Sequence, residues 1–282
     1  MNTALESPFL DAESEVGVAE APWQALRLDS PYARETPGRE ALLEEEKGII
    51  DGDDRQAVAD PLAVPFRWIC SIAVVREITH ASGRTSRTGL APAGTGVLIS
   101  PRHVLTAAHV VKSIRRDSSN SVSERHEART VRVKFGRDAS GGALVEVEAE
   151  RWDWPRAQWK PELDNSSFDF ALLTLKTAVG TQVFKALGNQ ALGHWGVDAK
   201  HSLDNLPSAL AARMLGARVV TAGYPESGKG QMMCASGLLS TGQPANDRAL
   251  GTPALTEQWI RGGALFSMTA DATEGQSGSP VW

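Results

Sequence analysis

Three residues of this chain lie in sequence contexts that suit nucleophilic catalysis. His109 follows a run of small residues, Asp169 directly precedes an apolar run, and Ser277 lies between Gly275 and Gly278. An imidazole can act as a general base, and a carboxylate beside an apolar strand needs a hydrogen-bond partner such as an imidazole N–H. Glycines on both sides of a serine permit a tight turn that exposes its hydroxyl and leaves backbone N–H groups to bind an oxyanion.

Each context has a simpler explanation when it is taken alone. A single histidine in an apolar segment is more often structural, an isolated aspartate is more often a cap or turn residue, and a Gly/Ser-rich segment can be a linker. Their order along the chain is His, Asp, Ser, with spacings of 60 and 108 residues. This is the order of the chymotrypsin-type triad, whereas the motif and triad order of α/β-hydrolase esterases are not matched.

Over about residues 49–282 the chain resembles the trypsin-like serine proteases, and most of all the bacterial glutamyl endopeptidase family. The segments that carry this resemblance are residues 49–55, 64–70, 94–99, 106–109, 169–173, 222–225 and 275–280. It implies that Ser277 is the nucleophile, His109 the general base and Asp169 the residue that fixes the imidazole tautomer. It also implies an oxyanion hole built from the backbone N–H groups of Gly275 and Ser277, and chemistry that needs no cofactor and no metal.

Short apolar or alternating runs between turns predict an all-β fold. The 26 glycines and 15 prolines agree with many turns. The resemblance implies two antiparallel six-stranded Greek-key β-barrels of the chymotrypsin type, with the active site in the cleft between them. A polar stretch, residues 112–129, is expected to be a surface loop. The expected strands are residues 68–75, 96–100, 104–106, 131–135, 145–150, 170–175 and 217–222.

The sequence predicts three regions. Residues 1–48 are an acidic leader or pro-segment, residues 49–176 an N-terminal barrel that carries the histidine and the aspartate, and residues 177–282 a C-terminal barrel that carries the serine. Because only five residues follow Ser277, we expect the second barrel to be incomplete at its C-terminus.

Processing is expected at Lys47-Gly48-Ile49, where the acidic leader ends and the protease-like segment begins. Pancreatic-type proteases have an aspartate directly before the nucleophile, which binds the new amino terminus. This chain has Gln276 there, which cannot form that ion pair. Activation is therefore expected to follow a different route.

Residues shortly before the nucleophile are expected to line the substrate pocket. Asp271 lies where trypsin-like enzymes that cut after Lys or Arg have a carboxylate, although the glutamyl branch can also carry Asp there. Ala272 occupies a position where glutamate-specific enzymes use a hydroxyl, and Glu274 lies at the pocket rim. Two carboxylates repel an acidic substrate side chain and attract a basic one, so these residues argue against a preference for glutamate.

The charge of the chain is unevenly distributed. The net charge is −5, but the first 47 residues contain eleven acids and four bases, so this part is −7 and the remainder is +2. A remainder so close to neutrality predicts no binding of nucleic acid, and no apolar run approaches the roughly 18 residues of a membrane span. The leader lacks the basic and apolar regions of a secretory signal peptide, so any secretion would use another route.

Cys70 and Cys234 are far apart and match no metal-binding spacing. Two buried thiols are expected, with a disulfide between them as the alternative. The predicted function is that of a serine endopeptidase, made as a precursor, which acts as a monomer on protein or peptide substrates. The alternative is a non-catalytic or fragmentary protease-fold protein that binds peptides or partners.

Overall fold

The computed structural model describes residues 55–138, 140–156, 169–196, 218–240, 267–268 and 275–282. The expected leader, residues 1–48, lies outside these ranges. Within the described ranges, no helix is both long and apolar enough to cross a bilayer. The strands and helix are β1 (Gln56–Ala57), β2 (Ile69–His80), β3 (Thr85–Arg87), β4 (Ala91–Leu98), β5 (His103–Thr106), α1 (Ala108–Val111), β6 (Lys112–Arg116), β7 (Val122–Phe135), β8 (Val145–Asp153), β9 (Ala171–Leu175), β10 (Val183–Phe184), β11 (Gln190–Ala191), β12 (Arg218–Gly223), β13 (Met233–Ser240) and β14 (Ser267–Met268).

Six strands form a closed antiparallel barrel in the order β2-β4-β5-β9-β8-β7, and pairing of β2 with β7 closes the ring. The alternating runs that predicted strands lie side by side in it, with Val133 opposite Val147. Closure gives every barrel strand a neighbouring strand on both sides, which limits the exposed strand edges that promote aggregation. The all-β expectation is confirmed.

The barrel is filled by the apolar residues that alternate along its strands. Among the largest side chains that are fully buried are Phe135, Ile72, Leu98, Leu173 and Leu175. Burying each such side chain contributes roughly 1.5–3 kcal/mol, so this core supplies the rigid frame on which the histidine and aspartate segments are placed.

A second, smaller sheet has the order β1-β13-β12, and β14 also pairs with β13. The last residues of the described chain extend this sheet at β12, where Val220 and Trp282 exchange two backbone hydrogen bonds of 2.8 and 3.0 Å. β1 pairs with β13 in register Gln56 to Cys234, so the chain passes through the second sheet before it forms the barrel. The division of the chain at residue 176 stays a prediction.

Strand β2 contributes to two hydrophobic cores. Cys70 belongs to the barrel core, whereas Ile69, the residue before it, belongs to a second cluster with Phe66, Met232 and Cys234. Successive residues of a strand point to opposite faces, so one strand can serve both cores. Cys70 and Cys234 are buried thiols, as expected, and burial raises the pKa of the Cys70 thiol.

The expectation of a surface loop over residues 112–129 is wrong. Strands β6 and β7 form an antiparallel hairpin there, with Lys112 opposite Glu127 and Arg115 opposite Glu124. The high polarity belongs to paired strands that project beyond the barrel core, where charges of opposite sign face each other across the ladder. The turn at residues 117–121 is closed by the Asp117 carboxylate, which accepts hydrogen bonds from the backbone N–H groups of Ser119 and Ser121.

Candidate active site

His109 lies on α1, a single helical turn that follows β5. Ala107 is still extended, with φ −80° and ψ 144°, and the chain then turns into the helix. Val110 and Val111 are fully buried in the barrel core. They anchor the helical turn against the barrel, while the His109 side chain keeps 43% of its surface exposed.

Asp169 reaches His109 because β5 and β9 are antiparallel neighbours. In this pair Thr106, the last residue of β5, is opposite Ala171, the first residue of β9. His109 comes three residues after Thr106 and Asp169 two residues before Ala171, so both lie beyond the same end of the strand pair. The Asp169 Oδ1 accepts the backbone N–H of His109 at 2.8 Å, and Oδ2 lies 2.6 Å from the ring Nδ1.

These contacts determine the charge state of Asp169. Burial favours the neutral acid and would raise the pKa, but the opposing contributions outweigh it and the pKa of Asp169 is lowered. The lowering comes first from the hydrogen bond and charge of the His109 ring and then from the backbone N–H groups of His109 and Ala108. Asp169 is therefore a carboxylate at neutral pH.

The contact also assigns the protons of the imidazole. A carboxylate only accepts hydrogen bonds, so Nδ1 of His109 must carry the hydrogen that lies between it and Asp169. In the neutral ring the lone pair is then on Nε2. An imidazole held in this tautomer can take a proton at Nε2, as general base catalysis requires.

Ser277 lies in a tight turn with two glycines in the left-handed region. Gly275 has φ +93° and Gly278 has φ +86°, and the N–H of Ser279 bonds to the carbonyl of Gln276 at 2.9 Å. A β-carbon at Gly275 would come within 2.7 Å of the backbone of the segment that follows β12. Both glycines are therefore required by backbone angle and by the space around them.

This turn occupies an edge of β4 that β5 leaves open. The pairing of β4 with β5 extends to Val97 opposite Leu105, after which β5 ends and the chain turns into the helix that carries His109. Two residues before Val97, the backbone N–H of Thr95 donates to the carbonyl of Ser277 at 2.9 Å. A β-carbon at Gly278 would collide with the carbonyl of Thr95, so the turn lies in direct contact with the strand.

Of the predicted catalytic residues, His109 and Asp169 are therefore joined directly by hydrogen bonds. Ser277 is joined through its backbone to the strand beside the one that leads to His109. Gly275, the other predicted oxyanion-hole residue, lies in the same turn. The remaining predicted residues lie outside the described ranges; they are Asp271, Ala272 and Glu274 of the pocket and Lys47, Gly48 and Ile49 of the processing region.

Two contacts of this site were not anticipated from the sequence. The hydroxyl of Thr95 lies between the turn and the second sheet. The guanidinium of Arg55 donates to the Gln276 side chain at 3.3 Å and to the Ser227 hydroxyl at 3.1 Å. The sequence does show a threonine between two glycines, and an arginine in the segment that resembles a mature amino terminus. Neither pattern specifies a contact with a residue so far along the chain.

Across the described parts of the chain, no group of three or more His, Cys, Asp or Glu side chains is arranged to hold a metal ion.

Comparison with protein families gives one match that covers most of the chain. The profile of the family described as "Trypsin-like peptidase domain" matches residues 94–282, which include all three predicted triad residues. No curated protein sequence matches the chain significantly.

Comparison with solved structures finds similar proteases. A Glu endopeptidase in complex with MPD superposes with a TM-score of 0.50 at 20% identity, over 83% of this chain and 81% of that chain. The protease Anisep from Arthrobacter nicotinovorans has a TM-score of 0.44 at 18% identity, over 81% and 80% of the two chains. HL collagenase has a TM-score of 0.47 at 16% identity, over 81% and 80%. At 20% identity, the likeness to the Glu endopeptidase concerns the fold, which is of the chymotrypsin type.

Proposed function

Since this chain belongs to the trypsin-like peptidase family, we propose that it is a serine endopeptidase in which Ser277 is the nucleophile, His109 the general base and Asp169 the residue that orients the imidazole. The observation that supports this most directly is the pair of hydrogen bonds from His109 to Asp169. They hold the ring in the tautomer that accepts a proton at Nε2. The contact of the Ser277 turn with β4 supports the third role.

The proposed reaction is a two-step acyl transfer. Ser277 Oγ attacks the carbonyl carbon of the substrate peptide bond while His109 Nε2 takes the hydroxyl proton, and the resulting oxyanion accepts hydrogen bonds from the N–H groups of Gly275 and Ser277. The tetrahedral intermediate expels the amine, which receives the proton from His109. Water then attacks the acyl-enzyme with the same base, which releases the acid and regenerates the serine.

We further propose that the protein is made as a precursor that is cleaved near Lys47. The supporting observation is the position of Arg55, whose guanidinium bonds to the side chain of Gln276, directly before the proposed nucleophile. The chain shortly after the proposed cleavage region thus contacts the tight turn at residues 275–279, which we call the nucleophile turn. A hydrogen bond between Arg55 and Gln276 would replace the ion pair that pancreatic-type proteases form at this position.

A fluorophosphonate probe tests the catalytic proposal, because it reacts with activated serine nucleophiles. We expect the wild-type protein to be labelled and a Ser277→Ala variant of the same fold, verified by circular dichroism, to remain unlabelled. Intact mass would also report any loss of the leader near Lys47; if the protein cleaves itself, the Ser277→Ala variant keeps its full mass. A folded wild-type protein that is not labelled would contradict the proposal and favour a protease-fold binding protein.

A further inference from the structure

Thr95 lies on β4 between two glycines and is completely buried. The two flanking glycines, Gly94 and Gly96, are packed too closely against other residues to be replaced by residues with a side chain. A β-carbon at Gly94 would come within 2.9 Å of the Ser277 carbonyl oxygen, and one at Gly96 would come within 2.6 Å of the Val104 side chain. The backbone of this strand therefore has little freedom to shift, and the Thr95 side chain is held at a defined point beside the nucleophile turn.

The Thr95 hydroxyl joins two segments that are distant in sequence. It donates its hydrogen to the carbonyl of Gly275 at 2.9 Å and accepts the backbone N–H of Tyr224 at 2.9 Å. Because a hydroxyl has a single hydrogen to donate, its donor capacity is used completely. The hydroxyl therefore connects the nucleophile turn to the segment that leaves β12. Both contacts are made from Thr95, which lies on barrel strand β4.

The backbone of Thr95 reinforces the same connection. Its N–H donates to the Ser277 carbonyl at 2.9 Å, and its carbonyl accepts the hydroxyl of Thr106 at 2.7 Å. Thr106 is the last residue of β5, three positions before His109. Two residues of the nucleophile turn and the strand that leads to the general base are thus hydrogen-bonded to one residue.

We propose that Thr95 is a positioning residue that holds the Gly275–Ser277 turn in register with His109. Its contacts with this turn are with the backbone carbonyls of Gly275 and Ser277, so it acts through the backbone of the turn that carries the proposed nucleophile and oxyanion donors. The inference rests on the proposed function, because the effect of Thr95 is measured through the reactivity of Ser277. Removing the hydroxyl leaves the buried Tyr224 N–H and the partly buried Gly275 carbonyl without this partner. Because an unpaired buried polar group is costly, the turn is expected to shift.

The test compares Thr95→Val, which is isosteric but has no hydroxyl, with Thr95→Ser, which keeps it. The matched control is Thr174→Val, because Thr174 is also buried on a barrel strand and its hydroxyl has no hydrogen-bond partner within the described residues. We expect Thr95→Val to lower the second-order rate constant of fluorophosphonate labelling about 10- to 100-fold, which is the effect of a displacement of the order of 1 Å. Thr95→Ser and Thr174→Val are expected to stay within about threefold of the wild type.

Amide hydrogen exchange supplies a readout that does not depend on catalysis. In Thr95→Val the Tyr224 amide loses its acceptor and should exchange faster, whereas the Val220 amide, which bonds to Trp282, should not change. If Thr95→Val does not fold, Thr95→Ala replaces it in both measurements.

Several outcomes would overturn the inference. They are a wild-type labelling rate in the folded Thr95→Val protein, an equal loss in Thr95→Ser, or an unchanged Tyr224 amide. Absence of labelling in the wild type would instead contradict the proposed function, while the exchange of the Tyr224 amide would still report whether Thr95 holds this segment.

Discussion

Both carboxylate oxygens of Asp169 accept hydrogen bonds from one residue, since Oδ1 faces the backbone N–H of His109 and Oδ2 faces its ring. The backbone contact fixes the carboxylate relative to α1, and the ring contact fixes the imidazole relative to the carboxylate. Orientation of the ring is thus determined by the fold around it, and the cost of ordering the side chains is met before any substrate binds.

Asp169 also links stability to pH. A carboxyl group whose pKa is lower in the folded state adds stability above its unfolded pKa, about 3.9, and this stability is lost as the pH falls through the folded pKa. We therefore expect Asp169→Asn to melt at a lower temperature than the wild type at pH 6. The difference should shrink steadily as the pH falls below about 4. Thermal unfolding of both proteins from pH 2 to pH 7 checks this, and a difference that grows on acidification would contradict it.

The charges near the expected substrate pocket lead to a second prediction for single residues. Asp271 and Glu274 should favour peptide substrates with Lys or Arg before the cleaved bond over otherwise identical substrates with Glu, by about tenfold or more in kcat/KM. The double variant Asp271→Asn, Glu274→Gln should reduce this ratio, and added salt should reduce it in the wild-type protein. If cleavage after Glu is fastest, the prediction is wrong, and this chain has the preference of the glutamyl endopeptidase family that it resembles despite these carboxylates.

The sequence was most informative about residues whose role depends on their immediate neighbours. Small residues before His109 and glycines around Ser277 are local requirements, so they can be recognised without a structure. The roles of Thr95 and Arg55 could not be predicted in this way, because their partners in the nucleophile turn are 180 and 221 residues away. Nothing in a single sequence specifies such pairings.

At the scale of elements, the strand pair β5–β9 sets the distance between His109 and Asp169, and its stability depends on burial. Leu173 of β9 is fully buried, whereas Leu105 of β5 is 37% exposed. We expect Leu173→Ala to lower the free energy of unfolding by about 2–5 kcal/mol. Leu105→Ala should cost about 1 kcal/mol or less. Urea unfolding of the two variants checks the contrast, and equal losses would mean that β9 is not anchored as described.

The hairpin of β6 and β7 shows where sequence patterns were misleading for a whole element. Its charges suggested a loop because polar residues in strands are usually confined to one face. Here a strand pair beyond the barrel core carries polar residues more widely. Glu124 of β7 lies 3.9 Å from Arg115 of β6 and 3.3 Å from His80 of β2. Cross-strand partners of opposite charge replace the apolar face as the source of pairing, and such partners are visible only once the register is known.

At the scale of the whole molecule, the two hydrophobic cores share strand β2, so we expect them to unfold together. Cys70 is 0% exposed in the barrel core and Cys234 is 1% exposed in the second core. The variants Cys70→Ala and Cys234→Ala each leave one thiol, and neither thiol should react with Ellman's reagent in the native protein. Both should become reactive over the same range of urea concentration. If Cys234 reacts at clearly lower urea than Cys70, the second core opens separately and the sharing of β2 does not couple them.

The Ser277 turn is added to a barrel whose strands all come earlier in the chain, and this sets the order in which the parts of the site form during protein synthesis. All six barrel strands precede residue 176, so the barrel can close, with His109 and Asp169 in contact, while the chain is still growing. The serine follows about a hundred residues later, which corresponds to roughly 5 to 20 seconds of translation. During that interval the nascent chain holds an oriented imidazole but lacks the proposed nucleophile, so the proposed peptidase activity cannot begin before Ser277 has been synthesised.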